Sequence, residues 1–277
     1  TTKLDTPQGK EITDKDLIEK IKPQEGKEID SIEVISKPDP SKPGKQEAKV
    51  IVKYKDGSTQ GTNDDPVVIP VEVHKNIIPE VVPGQKPEGA MDNYVKVIFK
   101  AGTGGTVSGD LVYYVSPEVE VDMTSQAEAV KKTANVGYTA NGGTWSPEIK
   151  SEKITAEKTY EFNFVKSKDI VEKTNDPNQV IPEGYVKVTF KTEDENKGKL
   201  AGNAVEKIYF VNPKADIKLV ELADGQTSGE KQLAVPKTIP ETNYEFDKWY
   251  EEIDQSNPIT SERIHVAKFK LAKVTLT

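Results

Sequence analysis

The chain has 277 residues, which at roughly 100–150 residues per compact domain predicts two or three domains, and its 34 % hydrophobic content predicts small cores. Lys and Arg (38) are interspersed with more numerous Asp and Glu (46) for a net charge of −8, so there is no basic stripe to neutralise phosphates, and nucleic acid is excluded as an expected partner. Zero cysteines exclude disulfides, zinc–thiolate sites and thiol nucleophiles, and two histidines, His74 and His265, leave a histidine metal site or a Ser-His-Asp triad almost nothing to be built from.

The chain opens on Thr1-Thr2-Lys3-Leu4, with neither an initiator Met nor a signal-peptide core, and no run of 18 apolar residues follows. It therefore reads as a soluble excised fragment, with any export signal or anchor expected outside it. Thr13-Asp14-Lys15-Asp16 predicts a capped short helix carrying Leu17, Ile18 and Ile21, stopped by Pro23. Strands are expected at Ile32–Val34 and Ala48–Tyr54. The Asp56-Gly57 step after the second is a turn signal. Val67–Val73 alternates as a further strand, in which Pro70, lacking an N–H, argues for an edge position.

Beyond Asn76 the chain repeats itself. Tyr94-Val95-Lys96-Val97-Ile98-Phe99-Lys100 returns as Tyr185-Val186-Lys187-Val188-Thr189-Phe190-Lys191, identical at six of seven positions. In the same order Tyr113-Tyr114-Val115-Ser116-Pro117 answers Tyr209-Phe210-Val211-Asn212-Pro213, Trp145 answers Trp249, Ile154-Thr155 answers Ile259-Thr260, and Phe164 answers Phe269. The growing offset assigns insertions to surface loops of the second copy. Val95, Val97 and Phe99 share one strand face, as do Val186, Val188 and Phe190. Tyr160–Phe164 and His265–Phe269 close the modules. Ser125–Lys132 and Lys214–Leu222 are expected to be helical.

The fold class is thus mainly β with short helices. Three small β-rich modules, of β-sandwich or α+β grasp-like type, are expected in tandem in an elongated array: residues 1–76, 77–183 with an N-terminal linker at 77–89, and 184–277. Three such modules in a row would span on the order of 100 Å. The segments near 76–89 and 166–183, rich in Pro, Asn and charge, read as exposed joints.

Gly9-Lys10-Glu11-Ile12-Thr13-Asp14, Lys42-Pro43-Gly44, the Val50–Ser58 strand and turn and the Val67–Val73 strand together resemble the Rib-type domain of Gram-positive cell-wall-anchored surface proteins. Asn243–Tyr250, Pro258-Ile259-Thr260 and Val266–Phe269 resemble the tandem repeats of such adhesins. The first copy keeps Tyr138 and Trp145 but lacks the intervening Phe. The resemblance implies an extracellular, cell-wall-located stalk or adhesin region, with no catalytic residues to carry over. The chain is expected to be a monomer and not an enzyme, with no cofactor and no metal. A host extracellular protein or glycan is the expected class of partner. Surface adhesin modules sometimes carry Lys-to-Asn isopeptide cross-links, whose signature requires a buried acid that the sequence does not assign.

The candidate sites have plainer readings beside them. Glu251-Glu252 and Asp64-Asp65 read as solvated loop charge rather than paired catalytic acids. Asn63-Asp64-Asp65 and Asp194-Glu195-Asn196 offer oxygen ligands for calcium without the EF-hand spacing. Gly102–Thr106 mimics a phosphate loop but lacks the Gly-Lys-Ser/Thr ending. Tyr94, Tyr113 and Trp145 are the ligand contacts if a module binds a host molecule through exposed aromatics. Trp145 and Trp249, placed alike in both repeats, are expected to serve the cores, with Trp249 on the strand face opposite Tyr244, Phe246 and Lys248.

Overall fold

In the computed structural model, which describes residues 1–273, 44 % of the chain is strand and 4 % helix, so the protein is mainly β. The first sheet uses β1 (Leu4–Pro7), β2 (Ile29–Ser36), β3 (Gly44–Tyr54), β4 (Thr59–Gln60) and β5 (Val67–His74) in the order β1-β5-β3-β2, with β4 added to β3. Alternation fills its core with Val50, Val52, Ile69 and Val71. The short helix α1 (Asp14–Ile18) closes over it through Leu17. Its start is the expected capping box: Asp16 N–H donates to Thr13 Oγ1 at 3.2 Å and Thr13 N–H to Asp16 Oδ2 at 2.9 Å. The Asp-Gly turn forms too, with Gly57 at φ 85° and Ser58 N–H donating to Asp56 Oδ1.

Pro70 is a correction. Its strand is interior, between β1 and β3. The parallel ladder to β1 begins at Leu4 opposite Val71, one residue past Pro70, so the missing N–H falls where that ladder starts.

The first repeat comprises β6 (Ile77–Pro79), β7 (Val95–Ala101), β8 (Gly105–Ser108), β9 (Val112–Val115), α2 (Thr124–Ala129), β10 (Lys131–Ala134), β11 (Tyr138–Ser146) and β12 (Lys158–Lys166). The second comprises β13 (Ile170–Glu172), β14 (Val186–Thr192), β15 (Gly198–Leu200), β16 (Glu206–Val211), β17 (Lys218–Val220), β18 (Gln232–Ala234), β19 (Thr238–Pro240), β20 (Tyr244–Tyr250) and β21 (Arg263–Leu271). Their main sheets have the same order, β11-β12-β7-β9-β6 and β20-β21-β14-β16-β13. In both, the closing strand pairs in parallel with the Tyr-Val-Lys-Val strand, placing Tyr160 opposite Phe99 and His265 opposite Phe190.

Three expectations change. The lead-ins hold edge strands: β6 pairs with β9, and β13 with β16, so the second repeat's sheet starts at Ile170, ahead of the boundary drawn at 184. Helix α2 stops at Ala129 because Val130 turns extended and feeds β10. Residues 214–222 are not a helix. Asp216 lies at φ 59°, which breaks a helical run, and Ile217 and Leu219 are instead buried on alternate positions leading into and along β17.

Three buried clusters follow the three sequence segments, within residues 4–73, 97–160 and 188–269. Backbone proximity groups the chain differently, into two units: residues 1–101, 107–132 and 144–162 in one, and 102–106, 133–143 and those from 163 onward in the other.

One packing detail recurs in both repeats. A Cβ on Gly105 would lie 2.4 Å from the Phe164 ring, and one on Gly198 2.4 Å from the Phe269 ring. Each glycine starts the short strand that passes over the closing-strand phenylalanine, and hydrogen is the largest substituent that fits. Neither has a left-handed φ, so the constraint is steric. Gly198→Ala is expected to lower stability by about 1–3 kcal/mol in urea unfolding, the usual cost of overpacking, and Gly202→Ala, where the added methyl has open space but φ is +77°, gives the purely backbone comparison.

Candidate functional site

The residues expected to contact a ligand separate once the strands are in place. Tyr94 is 5 % exposed, and its hydroxyl donates to the Lys75 carbonyl at 2.7 Å. Burial, reinforced by Glu118, pushes its pKa up to about 12. Tyr185 makes the same bond to the Lys168 carbonyl at 2.7 Å, so this pair anchors each lead-in to its sheet. Tyr113 is 6 % exposed and meets Phe99 edge-on at 5.9 Å. Exposure, the premise of the ligand-contact reading, therefore fails for both: Tyr113 faces the interior from β9, and Tyr94, just ahead of β7, is buried where its hydroxyl meets the Lys75 carbonyl.

Trp145 is half-buried. Its ring meets Phe99 at 5.1 Å and Phe162 at 5.2 Å, both edge-on, while the Lys132 ammonium stands 5.6 Å from its centre. The remaining surface of the ring borders a groove of about 300 Å³ with Ala127, Ile149, Lys132, Glu128 and Glu148. The groove thus has an apolar wall flanked by two carboxylates and an ammonium.

Trp249 is 8 % exposed and packs on Phe190 at 5.7 Å and Phe246 at 5.8 Å. The expected face assignment is wrong here. A register shift between Phe246 and Lys248 inserts a bulge at Asp247, which turns Trp249 to the same side as Phe246. The exposed aromatic among the described residues is Tyr250, at 59 %, a position that sequence reasoning passed over.

The acidic and glycine-rich loops have structural work. Asp65 N–H donates to Thr62 Oγ1 at 3.0 Å, and Asn196 N–H to Asp194 Oδ1 at 2.9 Å, so both presumed calcium loops are side-chain-closed turns. Gly104 has φ 101°, and a Cβ there would lie 2.4 Å from the Tyr138 ring, which accounts for the glycine run without a phosphate. Asp169 Oδ1 lies 2.6 Å from Lys166 Nζ and accepts from Asn212 Nδ2 at 3.0 Å. Desolvation raises the Asp169 carboxyl, but these hydrogen bonds outweigh it and leave the group below the usual carboxylate range, an ionised partner for the lysine.

Among the described residues one set of metal-ligating side chains converges, Asp5, Glu72 and His74, with ligand atoms within 4.8 Å of one another. Sequence spacing hides it, because the parallel pairing of β1 with β5 joins residues far apart in the chain.

His265 gives the second repeat an acid-sensitive core. It is 2 % exposed, stacks on Phe190 at 5.5 Å and uses Nδ1 to donate to the Glu251 carbonyl at 2.7 Å. Desolvation holds its pKa below the usual imidazole value, helped by Arg263 and opposed by the Glu251 bond. Below about pH 6.5 the unfolded chain takes up a proton at this position that the folded chain resists, so His265 lowers stability with acid in that range and adds no pH dependence above it. His265→Phe, which keeps a ring on Phe190, is expected to abolish the stability difference between about pH 5 and about pH 7.5 in urea unfolding. An unchanged difference in the variant would place the sensitivity elsewhere.

No family model, curated protein or solved structure matches this chain.

Proposed function

We propose that this chain is a non-enzymatic, load-bearing segment of an exported bacterial cell-surface protein, acting as a spacer outside the cell. The observation that carries this reading is mechanical. In the first sheet the strand where the chain enters, β1, lies parallel to the strand where it leaves, β5. Tension applied along the chain pulls such a pair in opposite directions along the strand axis, loading the whole row of hydrogen bonds in shear rather than opening them one at a time. Each repeat likewise pairs its first long strand in parallel with its closing strand, β7 with β12 and β14 with β21, behind the short lead-in strands β6 and β13. The resemblance of the first segment to Rib-type domains supports the cell-surface setting.

A second reading rests on the asymmetry between the paired tryptophans. Trp249 is enclosed, whereas Trp145 borders a groove flanked by Glu128 and Glu148. In this reading the first repeat also binds a host glycan.

Single-molecule stretching between the termini separates the possibilities for the spacer role. The second repeat is expected to rupture in one high-force event releasing roughly 300 Å of chain, at about 3.3–3.6 Å per residue. Gradual extension at low force would overturn the load-bearing role. A glycan array probed with the same chain and with Trp145→Ala tests the second reading, which predicts signals that the variant loses.

A further inference from the structure

We propose that Asp5, Glu72 and His74 form a site for a divalent first-row transition-metal ion, with zinc as the reference case, and that Lys3 acts as the built-in cation occupying it when no metal is bound. The three ligands stand on two adjacent strands. Parallel pairing sets Asp5 opposite Glu72 and Pro7 opposite His74, so Glu72 and His74, two residues apart, project from the same face of the sheet beside Asp5. Ligands carried on paired strands are held in place before the ion arrives.

The histidine is oriented as a ligand. Its Nδ1 lies 2.6 Å from the carbonyl oxygen of Gly89, which can only accept, so Nδ1 carries a proton and donates. Nε2 points the other way, to 2.8 Å from Asp5 Oδ1. A backbone carbonyl that fixes the tautomer and turns the opposite nitrogen toward the ion is the usual support behind a metal-bound imidazole. The His74 side chain is 11 % exposed, and Asp5 and Glu72 remain 39 % and 26 % exposed, which leaves an open side for water ligands.

The cluster already attracts a cation. Lys3 Nζ sits 2.6 Å from Glu72 Oε2 and 3.2 Å from Asp5 Oδ1. Two carboxylate oxygens thus already converge on one positive charge at the place an ion would take. Lys3 precedes β1 and its side chain is 47 % exposed, so the ammonium can move into solvent and leave its two carboxylates to an incoming ion. One imidazole nitrogen with two carboxylates selects the zinc-like ions over calcium, which takes oxygen ligands alone. Binding replaces the Nε2–H hydrogen bond to Asp5, releases that proton to solvent, and joins β1 and β5 through one ion, with His74 still held by the Gly89 carbonyl.

The test uses the full chain without a histidine tag, stripped with chelator. Zinc is titrated by calorimetry, and cobalt(II) is followed by its visible absorption as a spectroscopic stand-in. The proposal predicts one saturable equivalent that raises the melting temperature, at least ~10-fold weaker binding in His74→Gln, and tighter binding in Lys3→Met, which removes the competing ammonium. Asp5→Asn provides the same loss should His74→Gln fail to fold. Absence of saturable binding, or binding undiminished in the folded ligand variants, overturns the site. Affinity unchanged in Lys3→Met overturns the competing role of the lysine.

Discussion

Each repeat depends on a pair of rings placed side by side by a parallel strand register. Phe99 lies opposite Tyr160 and stacks on it at 5.6 Å, and Phe190 lies opposite His265 and stacks on it at 5.5 Å. A parallel pair cannot be joined by a tight turn, so the chain between must cross over. That crossing segment carries the tryptophan, which closes edge-on over the same phenylalanine in both copies. A tyrosine on the neighbouring antiparallel strand completes the group, Tyr113 in one and Tyr209 in the other. Aromatic contacts of this kind add about 0.5–1.5 kcal/mol each beyond the area they bury, a large share of the stability of a module with so small a core.

This constraint explains which differences between the repeats are tolerated. Ser116 and Asn212 both follow the strand bearing that tyrosine, and each accepts a backbone N–H two residues on, so serine and asparagine serve the same turn. Tyr160 and His265 are both flat rings able to stack. They differ in charge chemistry: the imidazole can take up a proton in mild acid where the phenol cannot, so an acid response is expected of the second repeat at that position. The glycines facing Phe164 and Phe269 are fixed by space rather than by backbone angle.

Much of this was legible in the sequence. The duplication, the alternation of Val95, Val97 and Phe99, the capped helix at Thr13 and the turn at Gly57 depend on neighbours within a few positions, where pattern and propensity act. What was missed depends on pairing between distant segments. The interior place of Pro70 follows from where β1 begins, the side taken by Trp249 from a one-residue bulge, the burial of Tyr113 from its packing on Phe99, and that of Tyr94 from the Lys75 carbonyl it reaches. Residues 214–222 have helix-forming composition, but a left-handed Asp216 and two buried branched side chains favour a strand. The convergence of Asp5, Glu72 and His74 is likewise invisible until β1 and β5 are seen to be parallel.

The central claim is that the ring pairs at Phe99 and Phe190 hold their repeats together. Native-state hydrogen exchange measures it most directly, because the slowest amides report the last structure to open. The account predicts that the slowest-exchanging amides of the first repeat lie in β7 and β12 around Phe99 and Tyr160, and those of the second in β14 and β21 around Phe190 and His265. Maximal protection in the lead-in strands β6 and β13, or in the short pairs outside the main sheets, would contradict it.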